Sequence, residues 1–286
     1  MDPLERTLMT IGCGDCDAVP KGPDAGRIVA TPDGPVQIMH NGVKVVAGGY
    51  HGDWMAHVIR ALRGHHEPQE ELVFHHLLRY ARHDTLMVEL GAFWSYYSLW
   101  YLHEVPGSEA VCIEPDPHNL AIGRRNMELN GQNARMTFHQ AAIGAPAADA
   151  VEIVCESDNA TIVVPRLDMA GVLARVDGRA IEVLHIDAQG AELGFLQSMP
   201  AAVAAGLVRF LVVSTHHASI SGSKTTHEDC LDVVRSMNGT IFAAHSIQES
   251  FSGDGLIVAG FFRQDTRIVM PHLSRNRPES SLFPES

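Results

Sequence analysis

From residue 86 onward, short apolar runs alternate with stretches of helical spacing. Runs at 86–90, 110–113, 136–138, 183–186, 208–214, 239–243 and 256–261 have the length and continuity of strands buried on both faces. Between them the spacing predicts helices near 94–103, 117–130, 168–176, 190–198 and 225–237. Such alternation implies right-handed crossovers and a mostly parallel sheet. The last two strands flank a loop that includes Ser250 to Asp254, and an antiparallel, hairpin-like edge is expected there. A helix beginning at Pro68 leads into this region, with Phe74, Leu77, Leu78 and Ala81 as its single buried face.

The two ends of the chain look different. Residues 1–65 are rich in glycine and proline and hold short β-like runs at 26–30 and 43–46, so an irregular N-terminal cap is expected. The segment after Pro271 lacks apolar periodicity and reads as a mobile tail. The expected organisation is a cap at 1–65, a main domain at 66–265 and a tail at 266–286, without internal repeats.

Composition narrows the classes. With 286 residues, 45% hydrophobic and 19% charged, the chain can bury a sizeable core. The net charge of −13 opposes non-specific binding to nucleic acid or anionic membrane, and neither partner is expected. The longest apolar stretch, 201–208, stops at Arg209, short of the ~20 residues that span a bilayer. Cysteines 13, 16, 112, 155 and 230 form neither an even disulfide set nor a paired metal framework. With an acidic N-terminus unlike a secretory signal, they point to a cytoplasmic location. Oligomeric state is open, a homo-oligomer included.

In an open parallel sheet, ligands bind beyond the carboxyl ends of the strands. The first strand of the main domain runs into VELGAFWSYYS (88–98), where Glu89 and Gly91 sit at a tight bend. The second ends CIEPDPHN and places Glu114 at its tip, suited to accept both hydroxyls of a ribose. Asp116, Pro117 and Gly131 mark the two ends of the following helix. Further glycines of a pyrophosphate cradle are missing, so a nucleoside without pyrophosphate, such as S-adenosylmethionine, fits better than a dinucleotide.

These segments resemble a family. VELGAFWSYYS is similar to the first motif of class I S-adenosylmethionine-dependent methyltransferases, and VLHIDAQGAELGFL (183–196) resembles the characteristic motif of their FkbM subfamily. QAAIG (140–144) and LDMAGVL (167–173) follow in the order of that family, and the likeness spans roughly 66–262. It implies an α/β fold with a Rossmann-like seven-stranded methyltransferase sheet, mostly parallel with the last strand antiparallel. It further implies that Glu89, Gly91, Ala92 and Ser95 line the methionine end of the donor, and that Glu114 holds its ribose. Pro115 and Asp116 would flank the adenine, with Gln140 and Ala141 closing the other side. Ser95 stands where glycine is usual, and Phe93 and Trp94 make the loop bulkier.

On the acceptor side, Asp187, His216 and His217 are expected to converge near the methyl donor. A neutral imidazole is suited to remove a proton near pH 7, which makes His216 or His217 the candidate base. Asp187, His216 and Glu249 could hold a divalent ion, although no fixed spacing demands one. The reading is an O-methyltransferase acting on a hydroxyl of a sugar, glycan or natural-product small molecule. The alternatives are an N-methyltransferase of a small amine and a non-catalytic adenosyl-nucleotide-binding module; the absent GxGxxG disfavours a dehydrogenase. Tyr50 and Trp54 in GGYHGDW would either lid the acceptor pocket or anchor the cap. Cys13 and Cys16 form a lone CxxC without the further ligands of a zinc site, and Glu71 with His75 reads as a solvated helical pair.

Overall fold

A computed structural model describes residues 3–145 and 149–283. The chain opens with α1 (Pro3–Ile11), an antiparallel sheet of β1 (Ile28–Thr31), β2 (Gly34–Ile38) and β3 (Lys44–Val46), and α2 (Asp53–Ala61). Then follow α3 (Pro68–Leu78), β4 (Leu86–Leu90), α4 (Tyr96–Glu104), β5 (Glu109–Ile113), α5 (Pro117–Leu129) and β6 (Met136–His139). A small sheet of β7 (Ala142–Ile143), β8 (Ala150–Val154) and β9 (Thr161–Leu167) precedes α6 (Met169–Arg175) and β10 (Ile181–Ile186). The remainder is α7 (Glu192–Leu196), α8 (Pro200–Ala204), β11 (Val208–Thr215), α9 (Ala218–Ser221), α10 (Thr226–Ser236), β12 (Thr240–His245) and β13 (Gly255–Gly260).

The main sheet has seven strands in the order β12-β13-β11-β10-β4-β5-β6. Only β13 runs against the rest, pairing antiparallel with both β11 and β12. This is the mostly parallel sheet the alternation predicts and the Rossmann-like arrangement the resemblance implies. Successive strand residues enter different layers: Met87, Cys112, Val183 and Phe210 join the core with α3, α4 and the N-terminal elements. Val88, Ile113, Leu184 and Leu211 join the core with α6, α7 and α10. Burial on both faces explains why these strands read as unbroken apolar runs. Among the described residues no helix is long and apolar enough to cross a membrane.

The structure corrects three expectations outside the main sheet. Residues 3–65 are not irregular: they form two helices and a three-stranded sheet. Their Met39, Val43, Val45, Met55 and Val58 are buried in the same core as α3 and α4. Asn126 on α5 and Asn130 at its C-cap dock β3, accepting the N–H groups of Val46 at 2.7 Å and Lys44 at 2.9 Å. Strands of three to five residues supported by distant partners leave little periodicity to read.

The segment after Pro271 is held rather than mobile as far as Phe283, while residues 284–286 of the expected tail lie outside the described residues. Leu273 is buried, Gln69 donates to the Ser274 carbonyl at 2.8 Å, and Asp15 accepts from the Ser274 hydroxyl at 2.5 Å. Its order comes from long-range side chain to backbone bonds, which carry no apolar signature.

Finally, α3 is buried all round from Pro68 to Phe74, because the N-terminal elements cover its second face, and it ends at Leu78, before Ala81. Glu71 is therefore no solvated partner of His75. It is fully buried, accepts from the N–H groups of His66 at 2.6 Å and Glu67 at 3.1 Å, and lies 2.6 Å from His65 Nδ1.

Candidate active site

From β4 the chain winds outward through β5 to β6, and from β10 in the opposite direction to β11. The carboxyl ends of neighbouring β4 and β10 therefore bound the crevice where this sheet architecture places ligands. Gly91 makes the close approach there. Its φ is +74°, and a Cβ would lie 1.6 Å from the Asp187 carbonyl oxygen, so no other residue fits.

A cavity of about 600 Å³ occupies this crevice, within the range of small-molecule sites. Glu89, Gly91, Ala92, Glu114, Pro115, Asp116 and Ala141 line it as expected. The hairpin β8–β9 adds Val151, Ile153 and Arg166 to the wall. Asp116 ties that hairpin down while capping α5: it accepts from the His118 N–H at 2.9 Å and from the Ser157 N–H at 3.0 Å. On the opposite side the cap contributes Tyr50, whose ring stacks on Trp94 at 4.5 Å between centroids. The aromatic loop thus both closes the cavity and anchors the cap.

Two buried carboxylates form the polar floor. Glu114 accepts the N–H groups of Phe93 and Asp116, each at 2.9 Å, and Glu89 accepts the Ser98 N–H at 3.0 Å. Burial pushes the pKa of each up to about 7, against the lowering effect of these hydrogen bonds.

Two expected lining residues are elsewhere. Ser95 is fully buried with φ +60°, and this left-handed turn carries its side chain toward α5, where a Cβ on Gly123 would lie 2.6 Å from Ser95 Oγ. Gln140 is exposed, its amide 3.2 Å from the Pro115 carbonyl, and Ala141, Ala142 and Gly144 line the cavity instead.

The two histidines after β11 separate. His217 stacks on Phe283 at 4.1 Å and caps α9 by accepting the Ser219 N–H, so it faces away from the crevice. His216 is buried with Nδ1 2.8 Å from Glu192, and Nε2 3.2 Å from Asp187 and 3.7 Å from Asp254. Burial opposes its charge, yet Asp254, then Asp187 and Glu192, hold its pKa well above the usual value. These three carboxylates favour the charged ring over the neutral imidazole expected of a base. Glu192 also accepts the N–H groups of Ala188 at 3.1 Å and Gly190 at 3.0 Å, shaping the loop after β10.

The expected metal set is not assembled. Glu249 pairs with Arg275 and accepts the Ser246 N–H at 2.9 Å, and it lines neither cavity. Cys16, His65 and Glu71 do lie together, but Cys16 donates to the Pro68 carbonyl at 3.1 Å and Glu71 is engaged by its own loop. Cys13 is directed to Ser274, so the CxxC is not a chelating pair.

A second cavity of about 230 Å³ shares Tyr50, His51, Glu156, Asp187 and Gln189 with the first, and adds Trp54, His216, Arg6 and Asp254. Arg6 on α1 lies 3.3 Å from Asp254 and over the Trp54 ring at 5.7 Å. Sequence reasoning missed Arg6 and Glu156 as site residues because they come from segments far apart in the chain. Period-two alternation in AVEIV and TIVVPRL could have revealed the hairpin that presents Glu156.

Comparison with known proteins adds an independent finding. The family model for the methyltransferase FkbM domain matches residues 81–238. No curated protein matches significantly. Among solved structures the chain is similar to the methyltransferase FkbM from Methylobacillus flagellatus KT, at 15% identity and a TM-score of 0.47, covering 73% of this chain and 61% of that one. It is also similar to the precorrin-6y C5,15-methyltransferase from Geobacter metallireducens GS-15, at 12% identity and a TM-score of 0.44, over 66% of this chain and 86% of that one. The O-methyltransferase from Bacillus cereus in complex with SAH matches at 16% identity with a TM-score of 0.39, over 67% and 79% of the two chains.

Proposed function

The chain belongs to the FkbM methyltransferase domain family, and we propose that it moves a methyl group from S-adenosylmethionine to a hydroxyl of a sugar, glycan or natural-product small molecule. The observation that carries this reading is Glu114 at the tip of β5. Each of its oxygens is held by one backbone N–H, which leaves each a second lone pair for one hydroxyl of a ribose. Gly91, which lines the cavity where its loop meets the Asp187 backbone, supports a donor lying across the ends of β4 and β5. Adenine then falls against Pro115, Ala141 and the β8–β9 hairpin, and the methionine end against Glu89.

Bound there, the donor supplies an electrophilic methyl on a sulfonium that departs as a neutral thioether. As the acceptor oxygen gains the methyl, its proton passes to the Asp187 carboxylate, whose side chain is 26% exposed at the border of both cavities. His216, held at both ring nitrogens by carboxylates that favour its charged form, positions Asp187 instead of serving as the base. Tyr50 and Trp54 provide the faces against which the acceptor packs.

One observation favours a second reading, methylation of a small amine: Glu156, Asp187 and Asp254 all line the second cavity. Labelled S-adenosylmethionine offered with matched alcohols and amines tests both, the site of the methyl being read by NMR. Labelled O-methyl product is the expected result. Exclusive N-methylation would replace the first reading with the second, and donor binding without labelling of any acceptor would leave a non-catalytic adenosyl-binding module. Tighter binding of a nicotinamide dinucleotide than of S-adenosylmethionine would remove the donor assignment.

A further inference from the structure

His185 lies on β10 in direct register with Glu89 on β4, and both side chains are almost wholly buried and line the larger cavity. Each is tied at one end only. Glu89 Oε2 takes the Ser98 N–H at 3.0 Å, and His185 Nε2 lies 2.6 Å from Glu70 Oε1. Glu70 is fixed in turn by the Ser214 hydroxyl at 2.6 Å, and the Tyr97 ring stacks on the His185 imidazole at 4.3 Å.

What remains is an orphan. His185 Nδ1 is buried and has no hydrogen-bond partner, in an interior where such groups are normally paired. Burial disfavours charge on the ring, but the bond to Glu70, then the nearby Glu89 and Asp187, raise its pKa above the usual value. With Nε2–H given to Glu70, an imidazolium has one further N–H to donate.

The other cations of this cavity are differently placed. His66 is engaged by Glu67 at 3.3 Å and Glu71 at 2.6 Å. Arg166 pairs in register with Ala142 and stands at the adenine end. An imidazolium and a carboxylate side by side match an α-amino acid, which carries an anion and a cation on one carbon.

We infer that His185 is a further residue reading the amino-acid end of the donor beside Glu89, its Nδ1–H donating to the carboxylate of the donor. The inference rests on the donor reading above. Glu70 is the positioning residue, setting which ring nitrogen is free.

Calorimetry with two product-like ligands tests it: S-adenosylhomocysteine, which keeps the amino acid, and 5′-methylthioadenosine, which lacks it. His185→Gln should weaken S-adenosylhomocysteine about 10- to 150-fold, the span of a hydrogen bond to a charged group, and leave 5′-methylthioadenosine unchanged. Equal loss for both ligands, or no loss for either, overturns the inference while the donor reading stands. Failure of both ligands to bind the unaltered protein overturns both. A readout that needs no variant fold is the ¹⁵N signal of His185 Nδ1 in the unaltered protein. It should shift with S-adenosylhomocysteine and stay in place with 5′-methylthioadenosine, and a shift of the same size with each refutes the assignment.

Discussion

Replacing Glu114 with glutamine removes one charge and one acceptor where the structure uses both. The carboxylate takes the N–H groups of Phe93 and Asp116 at 2.9 Å each, whereas an amide can take only one and turns its own NH₂ toward the other. A buried N–H left without a partner costs about 1 to 3 kcal/mol of stability. Loss of a charged acceptor for the ribose costs about 1.5 to 3 kcal/mol of binding, a rise in the dissociation constant of about 10- to 150-fold.

The two effects separate in a cycle with ligands lacking one ribose hydroxyl. Calorimetry should find that 2′-deoxy or 3′-deoxy S-adenosylhomocysteine binds the unaltered protein more weakly than the parent ligand. In Glu114→Gln the same deletion should cost at least about 1 kcal/mol less. An identical penalty in both backgrounds would show that Glu114 does not hold the ribose. The same group predicts a pH profile. Its pKa is pushed up to about 7 by burial, and the hydroxyls donate to the ionised form, so donor affinity should rise as pH climbs from 6 to 8. Glu89 adds a similar slope, and the Glu114→Gln profile should be shallower than that of the unaltered protein.

Glu89→Gln tests the buried charge through stability. Burial raises the folded pKa from 4.5 to about 7, so this group's favourable contribution is complete below 4.5 and is lost as pH rises through 7. Denaturant titration of the ligand-free variant should show a gain of up to about 3 kcal/mol at pH 8 and none near pH 4.5; equal stability at pH 8 would refute the assignment. Asp187→Asn should lower turnover about 10² to 10⁴-fold with donor affinity retained, and full turnover at saturating acceptor would exclude Asp187 as proton acceptor. His217→Ala should leave turnover unchanged, since that ring packs on Phe283; a hundredfold loss would return it to the site. Gly91→Ala should abolish donor binding or folding, because its Cβ would lie 1.6 Å from the Asp187 carbonyl, and calorimetry showing normal affinity would contradict that close approach.

The sequence by itself determined the sheet and the strand-tip residues that line the larger cavity. The strands of the main sheet are apolar on both faces, a pattern that few other architectures bury, and β4, β5 and β10 each end at residues that line the larger cavity. Glu89, Gly91, Glu114 and Asp187 were legible for that reason: a residue at the end of a strand is placed by local chain geometry. Side-chain direction at irregular positions was not legible. Ser95 turns away because its backbone is left-handed, and Gln140 is exposed with its amide against the Pro115 carbonyl. Only the tertiary structure decided the second cavity, where Arg6, Glu156, Asp187, His216 and Asp254 meet from five separate segments. It also set the surroundings that bias proton affinity. Histidine titrates near neutrality in isolation, and three carboxylates brought to His216 by distant parts of the chain raise its pKa. Electrostatic energy depends on distances in space, which the order of residues along the chain does not contain.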